Sequence, residues 1–226
     1  MANIFSNIEV KSYSILGYSE EKGEDKKQVK EINFKKTYIV DPAGKPLVDQ
    51  QNGKLPQGAT AASQDIYVTI GLDNFTNIND SDKDNLRKHK AVFKQHGKYK
   101  CIHIMGPNAS IEPYNDRKKF EETLIQCYEE VFETFFNENK NDGGDNVLHL
   151  IPISTGVFKG SNDDIQKFTI DAIFKSLDKV KVVYPDKCNI DLCIYYDEEF
   201  PKYQKEFDRK KKEVENFLGT FVQLSA

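Results

Sequence analysis

Apolar residues recur along this chain in two rhythms, and the rhythm changes at definite places. Tyr99 to Met105 has the composition of a strand and closes on Gly106-Pro107. From Asp116 to Asn137 the spacing turns helical, with Phe120, Leu124, Tyr128, Val131, Phe132, Phe135 and Phe136 on one face of a 3.6-residue repeat. Asn141-Asp142-Gly143-Gly144 breaks that helix. Asn146 to Ile153 is nearly continuous in apolar residues, as a strand buried on both faces requires. After a turn from Ser154 to Gly160, Ser161 and Asp164 offer an N-cap to a helix that carries Ile165, Phe168, Ala172, Ile173 and Leu177 inward. A strand from Ile190 to Tyr196 leads into a lysine-rich amphipathic helix with Phe200, Tyr203, Phe207, Val214 and Phe217 on its buried side.

The first half is less regular. Ile8 to Leu16 and Thr37 to Val40 read as strands, separated by a charged hairpin or loop at Glu20 to Lys30. Asp41 to Gln57, rich in Gly, Pro, Asn and Gln, reads as a long loop. A short helix is expected from Ala61 to about Gly71, and irregular polar chain from Asn74 to Asn85. There is no internal repeat. Alternating strand and helix signals predict an α/β protein, and 226 residues suit one large domain, 1–226.

Composition narrows the function. A net charge of −4 argues against a general nucleic-acid binder, which needs a dense positive surface. An anionic ligand must then be held by local donors rather than by the overall field. No stretch is long and apolar enough to cross a bilayer. The N-terminal residues lack the basic start and apolar run of a secretory signal. Cys101, Cys127, Cys188 and Cys193 form no CxxC pair and read as reduced core residues. The expected compartment is therefore cytoplasmic, and a bacterial protein delivered into a host cell would share this composition. Four scattered histidines predict no structural metal site. His103 and His149 alternate with apolar residues and read as sheet-packing histidines. The run Arg87-Lys88-His89-Lys90 through Lys94, His96, Lys98 and Lys100 reads as a solvated segment or as a contact for an anionic polymer.

Pro152-Ile153-Ser154-Thr155-Gly156-Val157-Phe158-Lys159-Gly160 is the most informative segment. A buried strand ends, a turn of small residues follows, and a helix begins a few residues later. Such a turn aims several backbone N–H groups at one point and can bind a pyrophosphate without lysine or arginine. Gly156 would let the backbone approach the phosphates, and Phe158 could cover a ribose. As chemistry alone, the same pattern also describes an ordinary strand–helix connection.

STGVF after an apolar strand ending in proline resembles the second phosphate loop of the macro domain family. Ile102-His103-Ile104-Met105-Gly106-Pro107 resembles that family's strand ending in histidine, two apolar residues and Gly-Pro. Tyr38-Ile39-Val40-Asp41-Pro42-Ala43-Gly44 resembles its strand and loop written VNAAN, and Ile194-Tyr195-Tyr196-Asp197 its last strand. The resemblance spans roughly Tyr38 to Phe217. It implies a three-layer α/β/α fold with a mixed central sheet, and a cleft at the strand ends for ADP-ribose or an ADP-ribosylated protein. The pyrophosphate would lie between Ser154, Thr155, Gly156, Val157 and Phe158 on one side and Asp41, Ala43, Gly44, Gly58 and Ala59 on the other, with Tyr196 stacking on the adenine. The resemblance implies no cofactor.

The match departs from the family in ways that bear on function. Asp41 replaces the first asparagine of VNAAN and Gly44 the second, so the side-chain amide that orients the distal ribose in hydrolytic relatives is missing. Only Gly58-Ala59 resembles the family's triple glycine. Residues 1–36 and 41–60 are divergent, and 74–98 reads as a polar insertion. Asp25 either replaces the usual adenine-reading aspartate or lies in a solvated loop. Gln64-Asp65 after Gly58 has a spacing like that in poly(ADP-ribose) glycohydrolases, so Asp65 is either a general acid or a helix-capping residue. Three functions follow: a module binding ADP-ribose, an ADP-ribosyl hydrolase, and a macro-type scaffold for protein interaction. Binding ranks first.

Overall fold

Successive residues of a strand point to opposite sides of its sheet, and Thr37–Asp41 is buried on both. Tyr38 and Val40 enter one apolar cluster and Ile39 enters another. A strand of this kind needs covering layers above and below. The computed structural model has both. It describes residues 7–21, 25–49, 59, 61–71, 77–143, 145–156, 158–180 and 189–224, with side chains except at Ala61 and 217–224.

In chain order the strands are β1 (Ile8–Lys11), β2 (Tyr18–Ser19), β3 (Lys27–Gln28), β4 (Thr37–Asp41), β5 (Val92–His96), β6 (Tyr99–His103), β7 (Val147–Leu150) and β8 (Asn189–Cys193). The helices are α1 (Lys45–Val48), α2 (Ala61–Ile70), α3 (Asp80–Arg87), α4 (Arg117–Asn141), α5 (Ile165–Lys179) and α6 (Phe200–Leu224). A six-stranded sheet runs β1-β8-β7-β4-β6-β5, parallel except for the β5–β6 pair, while β2 and β3 form a separate hairpin. Buried side chains of α4, α5 and α6 cover one face. Those of α1, α2 and α3 cover the other. This is the expected three-layer fold with a mixed sheet.

The strongest apolar periods gave the clearest elements. The seven apolar residues named for α4 are all buried, each contributing about 1.5–3 kcal/mol. Asp116 caps this helix by accepting from Lys119 N at 2.8 Å. Helix α5 begins at Ile165 without a side-chain cap, because Asp164 instead pairs with Arg117 at 2.9 Å. Ser161 lies short of the helix. The α6 face buries Tyr203 and Phe207 and half-buries Phe200 and Val214; the Phe217 side chain falls outside the described residues.

Polar segments hid real structure. Asn74 to Asn85 is not irregular throughout, since α3 starts at Asp80 under a reciprocal cap. Asn79 accepts from Asp82 N at 2.9 Å, and Asp82 accepts from Asn79 N at 2.8 Å. The long loop expected from Asp41 contains α1, and the described part ends at Asp49. The basic run after Arg87 is not one solvated face. Lys94 pairs with Asp82 at 2.7 Å, Arg87 pairs with Asp84 at 2.9 Å, and Lys100 bonds to Asp142. His96 is buried at the end of β5, and its Nε2 lies 2.8 Å from His103 Nε2.

The first strand is shorter than its apolar run and stops at Lys11. Ser14 Oγ then accepts from Leu16 N at 3.3 Å and Tyr18 N at 3.1 Å, turning the chain. Gly17 completes the turn with φ +85°, and a Cβ there would lie 2.0 Å from the Lys30 carbonyl oxygen. The turn thus needs glycine for both conformation and space.

Candidate functional site

The chain leaves β4 toward α1–α3 on one face, and leaves its neighbour β7 toward α5 on the other. Where connections diverge in this way, the loops at the carboxyl ends of the strands part and leave a crevice. A cavity of about 900 Å³ occupies that place. Its walls come from four directions: Ser14–Leu16 after β1, Pro42 and Gly44–Pro46 after β4, Ser154–Gly156 with Phe158 and Lys159 after β7, and Ile194–Tyr196 after β8. The β4 and β7 loops approach closely, since a Cβ on Gly44 would be 4.0 Å from Phe158 Cζ.

The turn after β7 is held from behind. Ile153 N donates to the Tyr128 hydroxyl at 2.9 Å, Thr155 Oγ1 donates to the Pro152 carbonyl at 3.0 Å, and Phe158 O accepts from Ala109 N at 2.9 Å. Ser154 has φ +62°, a left-handed conformation that costs a non-glycine residue roughly 1–2 kcal/mol. Among the described residues, no acceptor receives the backbone N–H of Thr155, Gly156 or Phe158. A Cβ on Gly156 would meet nothing within 4 Å. No described residue beyond its chain neighbours fills that space.

The opposite wall is aromatic and acidic. The Tyr195 hydroxyl donates to Glu20 Oε2 at 2.5 Å, and burial together with that carboxylate pushes the phenol well above its ordinary pKa. Tyr195 and Tyr196 rings meet edge to face at 4.8 Å, and Tyr196 is 47% exposed, presenting an apolar surface at the mouth. Backbone bonds from Glu20 N to Tyr195 O and from Asp197 N to Glu20 O tie the β2–β3 hairpin to the end of β8. Glu199 also lines the cavity. Burial opposes its ionisation, but hydrogen bonds from Lys202 and Gln166 hold its carboxyl below the ordinary value.

Not every expected site residue reaches this cavity. Gly44, Ala59, Asp65, Ser154, Thr155, Gly156, Phe158 and Tyr196 line it, whereas Asp41 and Ala43 are wholly buried beneath its wall. Asp41 instead ties elements together. Its Oδ1 accepts from Ser63 Oγ at 2.8 Å, and its Oδ2 accepts from Tyr67 at 2.9 Å and lies 2.7 Å from His103 Nδ1. Since a carboxylate only accepts, Nδ1 of His103 carries the proton shared with it. Gly58 and Val157 fall outside the described residues.

Asp65 is not a capping residue: α2 begins at Ala61 and has no acid in its first turn. It lies half-exposed, with Lys26 Nζ 2.7 Å from its carboxylate, rather than in enclosed apolar surroundings. Asp25 is exposed and does not line the cavity. Sequence reasoning missed Glu20, Lys26, Gln166, Glu199 and Tyr203, all of which do. Tyr203 was legible as a buried position of α6 but not as part of the site, and the other four had no local signal beyond proximity in sequence to a strand or helix end. His149 is buried as expected, and its Nδ1 lies 2.9 Å from the Ile15 carbonyl. Cys101, Cys127 and Cys193 are free and buried, and Cys188 is outside the described residues. No group of His, Cys, Asp and Glu among the described residues could hold a metal, and no described helix is long and apolar enough to cross a membrane.

A mixed sheet covered on both faces, with a crevice at its strand ends, defines a three-layer α/β architecture. Neither a family model nor a curated sequence matches the chain. Solved structures do. An Oceanobacillus iheyensis macrodomain with ADP superposes with a TM-score of 0.57 at 15% identity, covering 79% of this chain and 86% of that one. A glycine-to-valine mutant of the same macrodomain with ADP-ribose gives 0.54 at 17% identity over 77% and 86%. The Trypanosoma brucei macrodomain in complex with ADP gives 0.54 at 12% identity over 88% and 68%. The chain has the macrodomain fold.

Proposed function

We propose that this protein binds ADP-ribose, free or attached to a protein, in the cleft at the ends of β4, β7 and β8. The observation that carries the reading is the turn from Ser154 to Phe158, with open space at Gly156 and backbone donors unused by described residues. Such donors suit the two charges of a diphosphate. The exposed Tyr196 ring at the other wall suits a nucleobase. Fold neighbours with ADP or ADP-ribose support the same ligand class. The three free thiols among the described residues are compatible with a reducing, cytoplasmic compartment.

Hydrolysis is the second reading, favoured by Asp65 in the cleft lining. Two features rank it below binding. Gly44 brings no side chain to orient a ribose or a water, and Asp65 is already paired with Lys26. Calorimetric titration with ADP-ribose, ADP, AMP and NAD tests the proposal. Binding should need the diphosphate, so ADP-ribose and ADP should bind more tightly than AMP. No heat with any of the four would overturn it.

A further inference from the structure

Gly106 does not line the cleft, yet its missing side chain is required by the residues that do. It is buried just beyond β6, and its backbone is not in the left-handed region, so conformation does not explain the glycine. Space does. A Cβ on Gly106 would lie 2.3 Å from Ser154 Oγ and 2.5 Å from Ile153 Cγ2. Both residues begin the turn after β7, and Ile153 is wholly buried. Ser154 Oγ is buried and has no hydrogen-bond partner among the described residues, so its side chain is located by packing against this glycine rather than by a polar bond.

The surface behind the turn is itself fixed. Ile104 N donates to the Asp41 carbonyl at 3.0 Å, and the Met105 carbonyl lies 2.6 Å from His89 Nδ1. Three residues after Gly106, Ala109 N donates to the Phe158 carbonyl at 2.9 Å. The 106–109 segment therefore touches the turn near both of its ends, at Ser154 and at Phe158. Between these two contacts lie Thr155 and Gly156, whose backbone N–H groups are received by no described acceptor.

We infer that Gly106 is a positioning residue for ligand binding: it sets where the Ser154–Phe158 turn holds its backbone donors. The inference rests on the cleft reading above. A methyl group at 106 cannot be absorbed by rotating Ser154 alone, because Ile153 Cγ2 is β-branched and enclosed. Restoring an ordinary carbon contact requires about 1 Å of movement by the turn. Hydrogen bonds to an anion do not survive a displacement of that size.

Affinity for ADP-ribose should be measured calorimetrically, and melting temperature recorded, for the parent, Gly106→Ala and Gly106→Ala/Ser154→Ala. The single variant should fold and lose about 10- to 100-fold in affinity, the worth of roughly one charge-assisted hydrogen bond. The double variant removes the 2.3 Å contact and should recover part of that loss, which a general loss of stability would not produce. A folded Gly106→Ala with parent-like affinity overturns the inference. If Gly106→Ala does not fold, Ser154→Gly takes its place: it releases the turn from the same contact without adding an atom. Weaker binding at an undiminished melting temperature then supports the inference, and parent-like binding overturns it. A parent that binds none of the four nucleotides removes the cleft reading, and this inference with it.

Discussion

Replacing Gly156 by glutamate puts a carboxylate where the proposed diphosphate would sit. The fold should tolerate the added atoms, since a Cβ at 156 meets nothing within 4 Å and the backbone there does not use glycine's left-handed freedom. The change in stability should stay within about 0.5 kcal/mol, as for other exposed positions. Ligand binding should suffer far more. Two like charges about 4 Å apart repel by about 1 kcal/mol in water and about 4 kcal/mol at an effective dielectric of 20. Gly156 is exposed at the cleft rim, so the lower part of that range applies. A penalty of about 1–3 kcal/mol weakens binding about 5- to 150-fold. Calorimetry with ADP-ribose on the parent, Gly156→Glu and Gly156→Lys separates charge from bulk. Lysine occupies similar space with the opposite charge and should bind more tightly than glutamate. The glutamate penalty should also shrink as salt is raised. A folded Gly156→Glu that binds as tightly as the parent would refute the phosphate site, and equal losses in both variants would refute the electrostatic account.

Other substitutions probe the acid, the buried network and pH. If the protein releases ADP-ribose from modified protein or polymer, Asp65→Asn should lower turnover by about 10²–10⁴-fold while sparing affinity; full activity in that variant excludes the role. Asp41→Ala deletes a buried acceptor of three hydrogen bonds and should cost about 3–5 kcal/mol in urea unfolding, against a much smaller cost for Asp41→Asn, which keeps an oxygen in place. His149 offers a pH test. Burial lowers its pKa below the ordinary 6.5, against the pull of the Ile15 carbonyl and Asp191. The unfolded chain therefore takes up this proton first, so its contribution is complete above pH 6.5 and is lost as pH falls toward the folded-state value. His149→Gln should flatten the decline in urea midpoint below about pH 6.5, and an unchanged slope would mean that other groups cause it.

What the sequence revealed depended on whether apolar spacing carried the element. Helix α4 and strand β7 were legible because burial dictates nearly every one of their positions. Helix α3 was not, because it buries only Leu86 and the stem of Lys83, leaving a capping box as its main signal. The β7 turn stood out only through its likeness to the family's phosphate loop, because small residues between a buried strand and a helix by themselves also describe an ordinary connection. Asp41 was placed by analogy at the ligand, but its side chain follows the alternation of β4 and points with Ile39 toward α2. Glu20 and Tyr195 meet across a separation of 175 positions in the chain, and no local pattern announces such a pair.

The pairing of β1 with β8 has a consequence for how the molecule is assembled. Ile8 lies opposite Ile190, so β1 finds its sheet neighbour among the described strands far later in the chain. Until Asn189–Cys193 has emerged, β1 and the outer edge of β7 lack the strand that joins them among the described residues. Pairings between β4, β6 and β5 can form earlier and close shorter loops, whose ordering costs less entropy. Two walls of the cleft, at Ser14–Leu16 and at Ile194–Tyr196, follow directly from β1 and β8. The crevice thus becomes complete only when the two distant parts of the chain join, and a nascent chain halted before residue 189 carries the β7 turn without the aromatic wall that faces it.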